Sequence, residues 1–239
     1  MTIANKIKLR LEQFEPGEVF TIQYFGIENR EQPTLVRYLN RQVVQKKLTR
    51  LSKGHYFKPR NTRFGQLSPR LEEVIKDLFV KNNKIIGYIS GTAAFAKLGL
   101  TTQISSNILI GSSVYRRPTE RATYKISFFL QRNPITESTI PLLQLLDAVR
   151  YFRKIPATTP NEAISHISDI IREQTEDERK KLLELALSYP NYVRALVGAI
   201  LENIAQPFEM LKQSLNGVTM YKLNISETVL PTKRNWNIV

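Results

Sequence analysis

The stretch from Pro33 to Lys46 constrains this chain most. Proline is tolerated at the first position of a helix, where its missing N–H has no intrahelical partner to lose, and neither glycine nor proline interrupts the residues that follow until Gly54. At about 100° per residue, Leu35, Leu39 and Val43 share one helical face with Val36 beside them, while Thr34, Arg37, Tyr38, Arg41 and Gln45 cluster on the other. The apolar stripe demands a core to pack on. The outer stripe is rich in donors, which suits either plain solvation or recognition: arginine can fork onto guanine edges or phosphate, and glutamine can pair with adenine.

The flanking residues choose between those two. Upstream, Ile3, Ile7 and Leu11, with Phe14 one turn further, fall on a single helical stripe that the Pro16-Gly17 pair stops. Thr21 is placed to cap a second helix of about one turn over Ile22 to Phe25, ended by Gly26. Downstream, Leu48 to Pro59 reads as two short strands joined at Lys53-Gly54, where glycine allows the positive φ of a tight hairpin turn. Helix, short helix, helix with a polar outer face and then a basic hairpin is the order of a winged helix-turn-helix, which lays its third helix in the major groove and its wing on flanking phosphate. The expected DNA-binding residues are therefore Thr34, Arg37, Tyr38, Arg41 and Gln45 on the helix, with Lys53, His55 and Lys58 on the hairpin. His55 reads as a phosphate contact or a plain hairpin residue and not as a metal ligand, because His166 is the only other histidine.

Charge agrees with that placement. The formal net charge is +14, and residues 1–70 hold 14 of the 35 Lys and Arg against five acids, a net of +9. A cationic end of this kind implies a polyanionic partner, double-stranded operator DNA being the expected one. The chain contains no cysteine, which removes disulfides, thiolate zinc sites and cysteine nucleophiles. No apolar run approaches the roughly 18 residues of a membrane span, and the first residues carry charges where a signal peptide needs its apolar segment, so neither a membrane partner nor export is expected and the protein is placed in the cytoplasm.

Arg60 to Pro69 is polar and closed by proline, which suits a connection, so the domains are read as 1–60 and 61–239. Beyond it the pattern gives a helix over Pro69 to Val80, a buried strand over Ile85 to Ile89, a helix from Thr92 to Leu98 stopped at Gly99, and strands over Ser106 to Ser113 and Thr123 to Leu130 around a basic loop, Tyr115 to Arg121. Helical patterns then dominate: Leu142 to Phe152, Pro160 to Gln174, Glu176 to Ser188, Tyr192 to Ile204 and Pro207 to Leu215, with a tail able to add a strand. Strands first and helices afterwards predict an α+β fold, a winged helix followed by a domain with a small sheet and several C-terminal helices.

The run Gly87-Tyr88-Ile89-Ser90-Gly91-Thr92-Ala93-Ala94-Phe95-Ala96-Lys97-Leu98-Gly99-Leu100-Thr101 resembles the AbiEi-type antitoxins, whose second domain opens with a strand, a Ser-Gly step and a small-residue helix ending in Leu-Gly-Leu-Thr. The hairpin ending Lys53-Gly54-His55-Tyr56-Phe57-Lys58-Pro59 is similar to the wing of that family. The resemblance implies a type IV toxin-antitoxin pair, a system of phage defence, in which this chain represses its own operon and counteracts a nucleotidyltransferase-like toxin. It implies no cofactor. Physically, Gly91 and Thr92 are also a plain helix start, with Ala93, Ala94 and Ala96 allowing close packing. Arg116, Arg117 and Arg121 are readable as a supporting charged surface or as a solvated loop.

Catalysis is not expected. Gly111-Ser112 is how a nucleotidyltransferase motif begins, but that chemistry needs closely spaced carboxylates for magnesium, and the only aspartates are Asp77, Asp147, Asp169 and Asp177. Glycine-rich phosphate loops, nucleophile elbows and zinc-protease motifs are missing as well. The alternative to an antitoxin is a DNA-binding transcriptional regulator whose C-terminal domain senses a ligand or mediates assembly.

Overall fold

The computed structural model describes residues 3–63 and 65–239. Met1, Thr2 and Phe64, which the sequence reading placed in the first domain and in the connection, lie outside the described residues. The fold is α+β. Two units are distinguished: the first runs to Asn82 and takes back Thr119–Lys125, and the second is built from Asn83–Pro118 and Ile126–Val239.

The first unit begins with α1 (Ile3–Glu12), then β1 (Val19–Thr21), a 3-10 turn over Ile22–Phe25 and another over Asn29–Glu31, α2 (Gln32–Val44), β2 (Thr49–Ser52) and β3 (His55–Phe57). The strands form an antiparallel sheet in the order β1-β3-β2. Val19 pairs with Phe57 and Thr21 with His55 on one side, and Thr49 with Phe57 and Ser52 with His55 on the other. Ile7, Phe20, Phe25, Leu35, Leu39, Leu48 and Tyr56 make one core between helices and sheet. Phe14 stacks on Phe20 with ring centroids 4.2 Å apart.

One expectation changes here. Thr21 makes no side-chain cap; it ends β1 in extended backbone, and a positive φ of 53° at Gly26 closes the turn that follows. A strand of three residues is too short to show a period of two in the sequence.

The chain continues with β4 (Arg60–Thr62) and β5 (Gly65–Leu67), paired antiparallel, then α3 (Leu71–Ile75), a 3-10 turn over Lys76–Leu78 and β6 (Val80–Lys81). The polar stretch read as a connection is thus an exposed hairpin attached to the first unit. Thr49 Oγ1 donates to Gln66 Oε1 at 3.1 Å, and the Val19 amide donates to Glu73 Oε2 at 3.1 Å. These bonds carry the first unit past residue 60, where the sequence placed the boundary.

In the second unit come β7 (Lys84–Ile85), β8 (Gly87–Ser90), α4 (Thr92–Lys97) and β9 (Asn107–Ser112). The chain returns to the first unit with β10 (Thr119–Arg121) and comes back along β11 (Tyr124–Leu130). Strands β8 and β9 pair antiparallel, Gly87 with Ser112 and Ser90 with Leu109. The helices are α5 (Ile140–Tyr151), α6 (Pro160–Glu173), α7 (Glu176–Ala186), α8 (Asn191–Asn203) and α9 (Glu209–Gln213). In place of the tail strand, a 3-10 turn over Pro231–Trp236 and a single parallel bridge between Tyr221 and Ile238 close the chain. Thr159 with Glu162, and Thr175 with Glu178, form reciprocal capping boxes that start α6 and α7.

Helix α5 is central, with every residue from Leu142 to Val149 buried, and that includes Asp147. Tyr88 Oη donates to Asp147 Oδ2 at 2.7 Å, Ser90 Oγ to the same oxygen at 2.8 Å, and Tyr189 Oη to Oδ1 at 2.9 Å. Gln131 Nε2 donates to both tyrosine oxygens, at 2.9 and 3.0 Å. The serine of the Gly87 to Thr101 run thus serves as an anchor between β8 and α5.

Gly198 marks the tightest approach. A Cβ there would overlap the Trp236 ring. That ring is fixed by Nε1 donating to Glu202 Oε2 at 2.6 Å. Gly198→Ala gains about 1 kcal/mol of helix propensity but forces an overpacking that costs about 1 to 3 kcal/mol. Because the ring is held by its bond to Glu202 and the added Cβ would meet it well inside van der Waals contact, the upper end, a net loss of about 2 kcal/mol, is expected. Urea unfolding checks it, and a variant as stable as wild type would refute the packing argument.

Candidate nucleic-acid interface

Helix α2 presents Thr34, Arg37, Arg41 and Gln45 to solvent, Gln45 being its C-cap, while Leu35 and Leu39 are fully buried beneath. Tyr38 is half-buried and packs against the core, so it belongs to the edge of the face and not its centre. The Arg41 guanidinium lies 5.5 Å from the Tyr38 ring centroid, a cation–π contact that holds the arginine along the helix. Neither Arg37 nor Arg41 forms an ion pair among the described residues. Gln42 is 8% exposed, and its backbone carbonyl accepts from the amides of Lys47 and Leu48, turning the chain from α2 into β2.

The hairpin divides its basic residues. Lys53 is exposed at the turn, beside Gly54 at φ +78°. Lys58 is half-buried, and its Nζ donates to the Phe14 carbonyl at 3.2 Å, so part of its hydrogen-bonding capacity is spent inside the fold. His55 is more fully committed: Nε2 lies 3.2 Å from Asp77 Oδ2, and Nδ1 lies 3.1 Å from both Ser52 Oγ and the Lys53 carbonyl. Exposed cations that the sequence reading had not assigned, Arg50 on β2 and Arg60 on β4, lie on the hairpins of the same unit. Alternating charge along such short strands is too brief to separate them from ordinary surface residues.

Arg121 corrects the loop reading. It ends β10, is 6% exposed, and donates through both terminal nitrogens to the two Asp77 oxygens, with Nη2 to Oδ2 at 2.9 Å, and to the Val74 carbonyl at 2.8 Å. Arg117 is exposed; Arg116 is half-buried, its guanidinium 5.9 Å from the Phe128 ring centroid. Asp77 therefore sits between His55 and Arg121. Burial alone would raise its pKa, but hydrogen bonds from both partners and the Coulomb attraction of Arg121 outweigh it and hold the carboxyl well below its usual range.

A carboxyl lowered in the folded state adds stability above its unfolded value, about 3.9, and loses that contribution as pH falls below it. Asp77→Ala should therefore cost most near neutral pH. It strands a guanidinium whose side chain is 7% exposed, and the expected loss is about 3 kcal/mol, the low end for breaking a buried pair because Asp77 itself is partly solvated. Urea unfolding at pH 7 and at pH 3 measures it. A cost that does not shrink at the lower pH would show that the pair is not its source.

Residues 5–135 match a single protein family, described as a family of unknown function (DUF6088), a span of more than half the chain. The chain belongs to the DUF6088 family. The DUF6088 match takes in α2, both hairpins and the second-unit strands through β11, and it ends before α5. Among solved structures, the RV2827C protein from Mycobacterium tuberculosis is 18% identical, with a TM-score of 0.49, over 91% of this chain and 83% of that one. No curated protein matches the sequence. Among the described residues no helix is long and apolar enough to cross a membrane.

Proposed function

We propose that this chain is a winged-helix protein that reads double-stranded operator DNA through α2, represses its own operon and acts as the antitoxin of a nucleotidyltransferase-like toxin. The observation that carries the DNA-binding part is the exposed row Thr34, Arg37, Arg41 and Gln45, with neither arginine in an ion pair among the described residues. Four residues of α-helix rise about 6 Å, close to two base-pair steps of about 3.4 Å, so Arg37 and Arg41 have the spacing to address base pairs two steps apart from one helix. Lys53 at the hairpin turn supplies a phosphate contact, and Arg50 on β2 and Arg60 on β4 are exposed cations of the same unit. The order α1, β1, α2, β2, β3 and the three-stranded antiparallel sheet support the winged-helix assignment.

The antitoxin part rests on the resemblance in Gly87 to Thr101, and no catalytic step is assigned to the chain. Co-expression with the product of the adjacent gene tests it. Growth inhibition by the neighbour, relieved by this chain, is the expected result; an inert neighbour, or toxicity that persists, removes the antitoxin part and leaves the DNA-binding part standing. The alternative, a regulator whose second unit senses a ligand, gains weight from a basic pocket in that unit.

A further inference from the structure

A pocket of about 430 Å³ opens in the second unit between the end of β11, α5 and the start of α8. It falls within the roughly 300 to 1,000 Å³ of small-molecule sites. Three arginines line it, Arg132, Arg150 and Arg194, and the described residues lining it include no Asp or Glu. None of the three is in an ion pair among the described residues. The buried Asp147 carboxyl offsets part of the charge of Arg150, and the positive charge that remains in the concavity attracts an anion.

Two of the arginines are fixed before any ligand arrives. Arg150 lies 5.2 Å from the Phe129 ring centroid and 5.1 Å from that of Tyr151, which set its plane. Arg194 is tied to the Ser214 carbonyl at 3.0 Å and to the Asn191 side chain, while its Nε is buried with no acceptor. Arg132 is exposed at the rim. The floor is rigid as well, since Tyr189 and Gln131 line the pocket and both belong to the hydrogen-bonded group around Asp147. Helix α8 begins at Asn191, also in the lining, so its N-terminal end borders the pocket.

We infer that this pocket binds a small polyphosphate-bearing ligand, inorganic or nucleotide, independently of the DNA-binding face on α2. A single carboxylate would occupy one guanidinium fork; two or more linked phosphates can engage the forks of Arg132 and Arg150 together, with Arg194, whose terminal nitrogens are bonded to Ser214 and Asn191, contributing its charge. The inference goes beyond the proposed function, since neither operator reading nor antitoxin action requires a ligand.

Calorimetric titration of the full-length protein with pyrophosphate and with ATP, at fixed ionic strength, tests it. Saturable one-to-one binding is expected, weakened at least tenfold by Arg132→Glu, which reverses an exposed charge without disturbing the core, and by Arg194→Gln. Arg37→Glu with Arg41→Glu should leave it unchanged. Tighter binding of ATP than of pyrophosphate supports a nucleotide ligand, and equal binding supports the phosphates alone. Absence of saturable binding of either probe, equal affinity in Arg132→Glu, or loss in the α2 variant instead would overturn the inference.

Discussion

Between about pH 4 and pH 6, wild-type protein is expected to lose about 3 kcal/mol of stability that an Asp147→Asn variant does not lose. Asp147 is fully buried, and that burial pushes its carboxyl up to about 6 against the hydrogen bonds from Tyr88, Ser90 and Tyr189, which favour the ion. With the folded value above the unfolded one, the native state holds the proton more tightly. The contribution is therefore complete below the unfolded pKa and is lost as pH rises through the folded one. A separation of about 2 pH units at about 1.4 kcal/mol each gives the magnitude. Asparagine keeps the volume and one acceptor oxygen for Tyr88 and Ser90. Tyr189 can turn to the Leu143 carbonyl, already at 3.3 Å, so the variant should fold. Urea unfolding of both proteins from pH 4 to pH 7 gives the difference curve. Parallel curves would mean that Asp147 stays ionised throughout and that its three donors, not its burial, set its state.

The second large effect concerns DNA. Arg37→Glu with Arg41→Glu should weaken specific binding at least 100-fold, since each good bidentate base contact discriminates by about 1 to 3 kcal/mol and tenfold in affinity is about 1.4 kcal/mol. Both side chains are exposed and make no ion pair among the described residues, so the fold should be untouched. Lys53→Ala acts differently: affinity should fall by a similar factor on every sequence, and the slope of log affinity against log salt should drop by about 1. Anisotropy titrations on specific and scrambled duplexes over a salt series separate the two classes. Undiminished specific binding by the double α2 variant would remove that face as the reader.

The amphipathic pattern of Gln32–Val44 was legible because thirteen residues span several helical turns, long enough for buried and exposed positions to alternate visibly. Pro33 and Gly54 marked its start and the hairpin turn beyond it. What could not be read was pairing across sequence distance. Asp77 and Arg121 are 44 residues apart, and only the folded chain shows that a basic loop residue is the buried partner of an isolated aspartate. Asp147 looked equally isolated, its three donors lying 42 to 59 residues away. His55 and Lys58 read from the sequence as phosphate contacts for the same reason, since Asp77 and the Phe14 carbonyl leave no local mark beside them. Arg132, Arg150 and Arg194 carry no motif and are brought together only by the ends of β11, α5 and α8.

The central claim, that the first unit reads a particular DNA sequence, is tested most directly by selecting bound duplexes from a random pool with the full-length protein. The account predicts enrichment of one motif, its presence upstream of the protein's own gene, and loss of that enrichment in the Arg37→Glu, Arg41→Glu variant. A pool that stays unenriched while the protein retains it, or a motif selected equally well by the variant, would contradict it.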